Sequence, residues 1–247
     1  MAHVLVTGGS RGIGAAVCRQ LAAEGAAVSF TYAARADAAD AMAAEIRATG
    51  CHALPVLADA ASAAALAAAF DAAVAAHGPL TGVVANAGTI GPVSPLAEMT
   101  PERIARIVDV NVTGALLTLR EGARRMSRSR GGQGGAMVVV SSAAARLGSP
   151  GEFVDYAASK GATDTMTLGL AKELGPEGVR VNAVRPGLIE TEIHAAANAP
   201  DRAERLGSAA PLGRAGTAEE VAETICWLLS DASSYVTGAL LDVAGGR

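Results

Sequence analysis

Tyr156 and Lys160 stand four residues apart within Glu152 to Leu174, a stretch of helical character, so both side chains leave one face of it a turn apart. The chain holds three tyrosines and, by direct count, two lysines, so chance seldom produces this pairing. A free phenol titrates near pH 10 and is a poor acid at neutral pH. A cation beside it stabilises the phenolate and lowers that value. Lys160 is expected to act on Tyr156 in this way, readying the phenol to protonate a developing alkoxide.

A second set of residues, Thr7-Gly8-Gly9-Ser10-Arg11-Gly12-Ile13-Gly14, lies between a short apolar run and a helical pattern. The spacing departs from strict GxGxxG and suits a slightly longer turn. Residues without Cβ let the backbone approach a pyrophosphate, and the helix start aims its N–H groups at it.

Elements that could hold these two sets together alternate along the chain. Strands are expected at His3–Thr7, Ala27–Tyr32, His52–Leu57, Gly82–Ala85, Ala136–Val140, Arg180–Val184 and Ala239–Val243, most with the continuous apolar character of strands covered on both faces. Helices are expected at Gly12–Glu24, Ala36–Thr49, Ser62–His77, Pro101–Val110, Val112–Arg128, Glu152–Leu174 and Ala218–Leu229. The order predicts an α/β fold: a Rossmann-like, doubly wound, seven-stranded parallel sheet with helices on both faces, in one domain spanning residues 1–247. Arg128 to Gly135 reads as a flexible, low-complexity surface connection. Leu188 to Gly216 is long and irregular, a candidate substrate lid that includes His194.

With 247 residues, 51% apolar and 18% charged, the chain can bury one sizeable core. Fifty-eight residues are alanine, so much of the apolar fraction is small and helix-favouring. A formal net charge of −4 provides no basic field for phosphodiester backbones, which argues against nucleic acid as a partner. Cys18, Cys51 and Cys226 are scattered without a CxxC pair, and no histidines have metal spacing, so neither disulfide nor metal is expected. No signal peptide or membrane segment is apparent, and a cytoplasmic location is expected. Trp227 is expected in the core or at a subunit contact.

The glycine turn Thr7–Gly14, Asn86-Ala87-Gly88, Asn111, Ser142, Tyr156-Ala157-Ala158-Ser159-Lys160 and Pro186-Gly187 before Thr191 occur in the order of the short-chain dehydrogenase/reductase family, which the chain resembles over nearly its whole length. The resemblance implies a catalytic set of Ser142, Tyr156, Lys160 and Asn111. Tyr156 would be acid in ketone reduction and base in alcohol oxidation, Lys160 would hold the nicotinamide ribose, and Ser142 would bind the substrate oxygen. Asn111 would orient a water linking Lys160 to solvent. The implied cofactor residues are Gly8, Ser10, Arg11, Gly12, Ile13 and Gly14 at the pyrophosphate, Asp59 and Ala60 at the adenine, and Asn86, Ala87 and Gly88 in support of the adenosine end. Pro186, Gly187, Ile189 and Thr191 would lie at the carboxamide end, with Tyr156 and Lys160 at the ribose. Ser141 adjoins Ser142, and the spacing from Ser142 to Tyr156 is about one residue longer than is common in that family; Ser142 is taken of the two.

Charge argues for the cofactor. The second strand ends Phe30-Thr31-Tyr32 with no carboxylate before Asp37, whereas Arg11 and Arg35 could converge on a 2′-phosphate, so NADP(H) is expected rather than NAD(H). The expected function is hydride transfer between NADP(H) and a small carbonyl or secondary alcohol. A 3-oxoacyl-[acyl-carrier-protein] reductase or a sugar dehydrogenase is the alternative within the family, and a non-catalytic dinucleotide-binding sensor the alternative outside its chemistry. A homotetramer is expected from the resemblance, from small residues after Tyr156 and from the apolar segment Tyr235 to Gly246.

Overall fold

The computed structural model describes residues 2–192, 197 and 202–247. His194 and the middle of the expected lid, residues 193–196 and 198–201, lie outside the described residues. In chain order the elements are β1 (His3–Val6), α1 (Gly12–Ala23), β2 (Ala27–Tyr32), α2 (Ala36–Ala48), β3 (Ala53–Leu57), α3 (Ala63–His77), β4 (Gly82–Ala85), α4 (Pro101–Val108), α5 (Gly114–Met126) and β5 (Gly135–Val140). There follow α6 (Ala144–Leu147), α7 (Val154–Leu174), β6 (Val179–Pro186), α8 (Arg202–Gly207), α9 (Ala218–Leu229) and β7 (Leu240–Val243).

Seven strands form one parallel sheet in the order β3-β2-β1-β4-β5-β6-β7. The chain winds outward from β1 to β3, then returns to place β4 against the other side of β1. At that reversal, loops beyond the strands' C-terminal ends diverge and open a crevice. Alternate strand residues serve opposite faces: Val4, Val6, Val84 and Val138 pack with α1, α2 and α9, while Leu5, Val83, Met137 and Val139 pack with α3, α5 and α7. Burying each such side chain contributes about 1.5–3 kcal/mol, and both faces are covered, as a parallel sheet requires.

The expected break between two helices at Asn111 does not exist. A wide π turn, Asp109–Thr113, carries α4 continuously into α5. The connection Arg128 to Gly135 is also not a loose tether. A Cβ on Gly132 would lie 2.3 Å from the Met126 carbonyl carbon, one on Gly134 2.4 Å from the Gly178 oxygen, and one on Gly135 2.2 Å from the Thr81 oxygen. These glycines allow close backbone approach, and Glu177 Oε2 accepts the Ser129 N–H at 2.8 Å. Trp227 is 42% exposed, so it is not a core residue.

Candidate active site

The glycine turn leaves the end of β1 at the sheet's reversal point and is tied down from both neighbouring strands. From β2, Thr31 accepts the Gly8 N–H through its hydroxyl at 3.2 Å and the Gly9 N–H through its carbonyl at 3.0 Å. Beyond β4, the Asn86 amide donates to the carbonyls of Thr7 and Gly8, both at 2.9 Å, and Thr7 Oγ1 accepts the N–H groups of Asn86 and Ala87 at 3.1 and 3.2 Å. Asn86 thus braces the turn from behind. Gly8 and Gly12 have φ of 66° and 52°, left-handed backbone that favours glycine. Gly14 is needed for space: a Cβ there would lie 2.3 Å from the Gly8 oxygen and 2.5 Å from Asn86 Nδ2.

Beyond the turn, α1 begins without a side-chain cap from Arg11 and without an acidic residue in its first turn, so its leading N–H groups lack side-chain acceptors. They open on a cavity of about 950 Å³. Gly8, Ser10, Arg11, Gly12, Ile13, Arg35, Asp59, Ala60, Asn86, Ala87 and Gly88 line it near the turn, and Ser142, Tyr156, Lys160, Pro186, Gly187, Ile189 and Thr191 line it further along. Gly14 and Asn111 stand behind the lining rather than in it. The Ile189 side chain packs into the apolar core, and a Cβ on Gly12 would meet Thr191 Cγ2 at 3.5 Å, so turn and far wall nearly touch.

Tyr156 and Lys160 occupy the first two turns of α7 and face the cavity together. Lys160 is 4% exposed, and its Nζ donates to the Val140 carbonyl at 2.7 Å and lies 5.6 Å from the Tyr156 ring centre. Burial depresses the ammonium pKa to about 8, against a counteracting pull from Asp164. The expectation that Lys160 lowers the Tyr156 pKa does not hold in this structure. Burial raises the phenol above its usual value, the neighbouring Ser142 hydroxyl offsets part of that, and Lys160 directs its charge to the Val140 carbonyl.

The two serines part company. Both border the cavity, but Ser141 is buried and its hydroxyl donates to Asp164 Oδ1 at 2.7 Å, whereas Ser142 is half-buried and its Oγ accepts the Ala144 N–H at 3.1 Å. The Asn111 side chain is spent on structure: its Oδ1 accepts the Thr89 N–H at 2.8 Å, and its Nδ2 donates to the Thr89 carbonyl at 2.9 Å and to Ser159 Oγ at 3.0 Å. It remains close to the site, since a Cβ on Gly88 would lie 3.5 Å from Asn111 Oδ1 and 3.6 Å from Lys160 Nζ.

The family model described as enoyl-(acyl carrier protein) reductase matches residues 8–247. The uncharacterized oxidoreductase YgfF of Escherichia coli (strain K12) is 49% identical over 247 residues, covering 100% of both chains. A short-chain dehydrogenase/reductase from Serratia marcescens BCRC 10948 superposes with a TM-score of 0.91 at 38% identity, covering 99% of this chain and 97% of that one. A short-chain dehydrogenase from Burkholderia cenocepacia J2315 in complex with NADP gives 0.90 at 35% identity, again over 99% and 97%. The chain belongs to the short-chain dehydrogenase/reductase family.

As a member of that family it is an oxidoreductase acting on CH–OH groups with a nicotinamide cofactor. The uncapped, glycine-lined helix start fits the pyrophosphate of such a dinucleotide. In this short-chain dehydrogenase/reductase, the Arg11 guanidinium has no hydrogen bond or ion pair with any described residue, whereas that of Arg35 is held by both oxygens of Asp37 at 3.0 and 3.1 Å. Asp59, expected at the adenine, accepts the Ala61 N–H at 3.0 Å and stands 3.6 Å from Arg106. Sequence reasoning did not single out Thr31, which lines the cavity and holds the glycine turn, Arg103 and Asp155, which pair beside the Tyr156 amide, or Asp164, which accepts from both Ser141 and Arg185. No metal-ligating group of three or more His, Cys, Asp or Glu occurs among the described residues, and no described helix is long and apolar enough to cross a membrane.

Proposed function

We propose that this enzyme transfers a hydride between NADP(H) and a small carbonyl or secondary alcohol, with Tyr156 as the group that gives and takes the proton. The observation carrying this reading is one cavity that has the uncapped start of α1 at one end and Ser142, Tyr156 and a buried Lys160 at the other.

The dinucleotide, when bound, supplies or accepts the hydride. Gly12 and Ile13, which line the cavity, offer backbone N–H groups to its pyrophosphate, with Gly8, Ser10 and Gly14 shaping the turn around them. Arg11 brings to the same end a guanidinium with no partner among the described residues, the reason for preferring a 2′-phosphate. Asp59 and Ala60 border the adenine side, Asn86 to Gly88 the adenosine wall, and Pro186 to Thr191 the carboxamide side.

In reduction the Tyr156 phenol donates to the developing alkoxide while Ser142 hydrogen-bonds the same oxygen. In oxidation the phenolate takes the hydroxyl proton. Lys160 holds the ribose through its ammonium, and its pKa of about 8 lets it pass a proton on near neutral pH. Asn111 fixes the wall beside Lys160 by binding Thr89 and Ser159, and orients the water through which Lys160 exchanges its proton with solvent.

Loss of NADPH absorbance should be followed against a panel of ketones, aldehydes and sugars, with Tyr156→Phe alongside. Turnover of at least one compound should fall by about 10²–10⁴-fold in the variant. Oxidation no faster than that of Tyr156→Phe across the panel would favour a dinucleotide sensor instead.

A further inference from the structure

Helix α7 starts without help from its cap. Phe153 offers no side-chain acceptor, and the first-turn amides have no helical carbonyl to bond. One of those amides belongs to Tyr156, and it donates to Asp155 Oδ1 at 2.8 Å. The Asp155 carboxylate is itself gripped by Arg103 of α4, Nε to Oδ2 at 2.8 Å and Nη2 to Oδ1 at 3.2 Å. The third guanidinium nitrogen, Nη1, donates to the Pro92 carbonyl at 2.6 Å. Gly91 makes room, since a Cβ there would lie 2.5 Å from Arg103 Nε. A second tie runs parallel, from the Ser94 N–H to the Glu152 carbonyl at 3.1 Å.

The segment held by Arg103 continues the wall formed by Gly88, Thr89 and Ile90, so one guanidinium joins that wall to the residue preceding the reactive phenol. Asp155 is buried and Arg103 covers it from a half-buried position, with side-chain exposures of 2% and 13%. A buried ion pair is a poor source of net stability, because desolvation offsets the attraction. What a bidentate pair does supply is direction, through a rigid fork that a point charge cannot imitate.

We propose that Arg103 and Asp155 are positioning residues that fix the start of α7, and with it Tyr156, against the cleft wall, so that proton transfer depends on an ion pair touching neither substrate nor cofactor. The inference rests on Tyr156 being the acid/base. Displacing a reacting group by about 1 Å costs about a hundredfold in rate, whereas the dinucleotide end of the cleft is held independently by Thr31 and Asn86.

The test uses full-length protein with NADPH and a substrate from the panel above, and compares Arg103→Met, Arg103→Lys, Arg103→Met/Asp155→Asn and Tyr156→Phe. Arg103→Met should lower kcat about ten- to a hundredfold with NADPH affinity unchanged, and C4-deuterated NADPH should show a larger isotope effect as the chemical step becomes limiting. Arg103→Lys should recover only part of the loss. Should the lone carboxylate left by Arg103→Met prevent folding, the double variant removes that charge and should show the same kcat loss. A double variant with wild-type kcat per NADPH-binding site and an unchanged isotope effect would overturn the clamp while Tyr156→Phe remains inactive. Full activity in Tyr156→Phe would instead overturn the reading of Tyr156, and the inference with it.

Discussion

Helices α1 and α9 lie side by side on one face of the sheet and share an apolar cluster that includes Val17, Leu21, Val221 and Ile225. Their buried faces are alike, but their beginnings are not. Thr217 Oγ1 accepts the Glu220 N–H at 3.3 Å, and Glu220 Oε2 returns the favour to the Thr217 N–H at 2.9 Å, so α9 is closed by a complete capping box. Arg214 grips the same Glu220 and, with the Thr217 amide, holds its carboxyl at about 2. At α1 neither a capping side chain nor a first-turn acid is present, and the open end faces the cavity. The contrast teaches that a helix anchored well by its side can leave its start for a ligand to complete.

The sharpest way to break that comparison is Gly14→Ala, whose Cβ would collide with the Gly8 oxygen at 2.3 Å and Asn86 Nδ2 at 2.5 Å and force the turn open. NADPH affinity by titration calorimetry should drop about a hundredfold, about 2.7 kcal/mol. Unchanged binding would mean that the ligand does not sit at this helix start. Next comes the charge beside it. Arg11→Ala should weaken NADPH about tenfold and NADH little, with a smaller effect for Arg35→Ala, because Asp37 already engages that guanidinium. Equal losses for both cofactors would remove the 2′-phosphate from consideration. Smallest is Thr217→Ala, expected to lower stability in urea by about 1 kcal/mol while leaving NADPH affinity alone. If affinity fell in step with stability, the two starts would not be separate devices.

Strands were legible where one rule sufficed. Runs such as Val138-Val139-Val140 must be buried on both faces, and a parallel sheet follows from what lies between them. Tyr156, Lys160 and the glycine turn were legible too, since helical spacing and the absence of Cβ leave a local trace in sequence. The supports around them were not. Arg103 and Asp155 are 52 residues apart, and Asp164 and Arg185 are 21 apart; each reads in isolation as one more surface charge. The wide turn at Asp109–Thr113 has no composition of its own, and the four residues of α6 are too few for a period to register. The sense of the Tyr156 shift was misjudged because spacing reports which groups are neighbours, not how much water the fold removes from them.

The turn at Asp109–Thr113 has one more effect. An ordinary helix rotates about 100° per residue, so the single extra residue accommodated there re-phases everything downstream relative to α4. Arg103, before the offset, meets α7 at Asp155, while Asn111, within it, meets the same helix one turn later at Ser159. One continuous rod thereby grips its neighbour at two successive levels, as a key with two bits engages two wards.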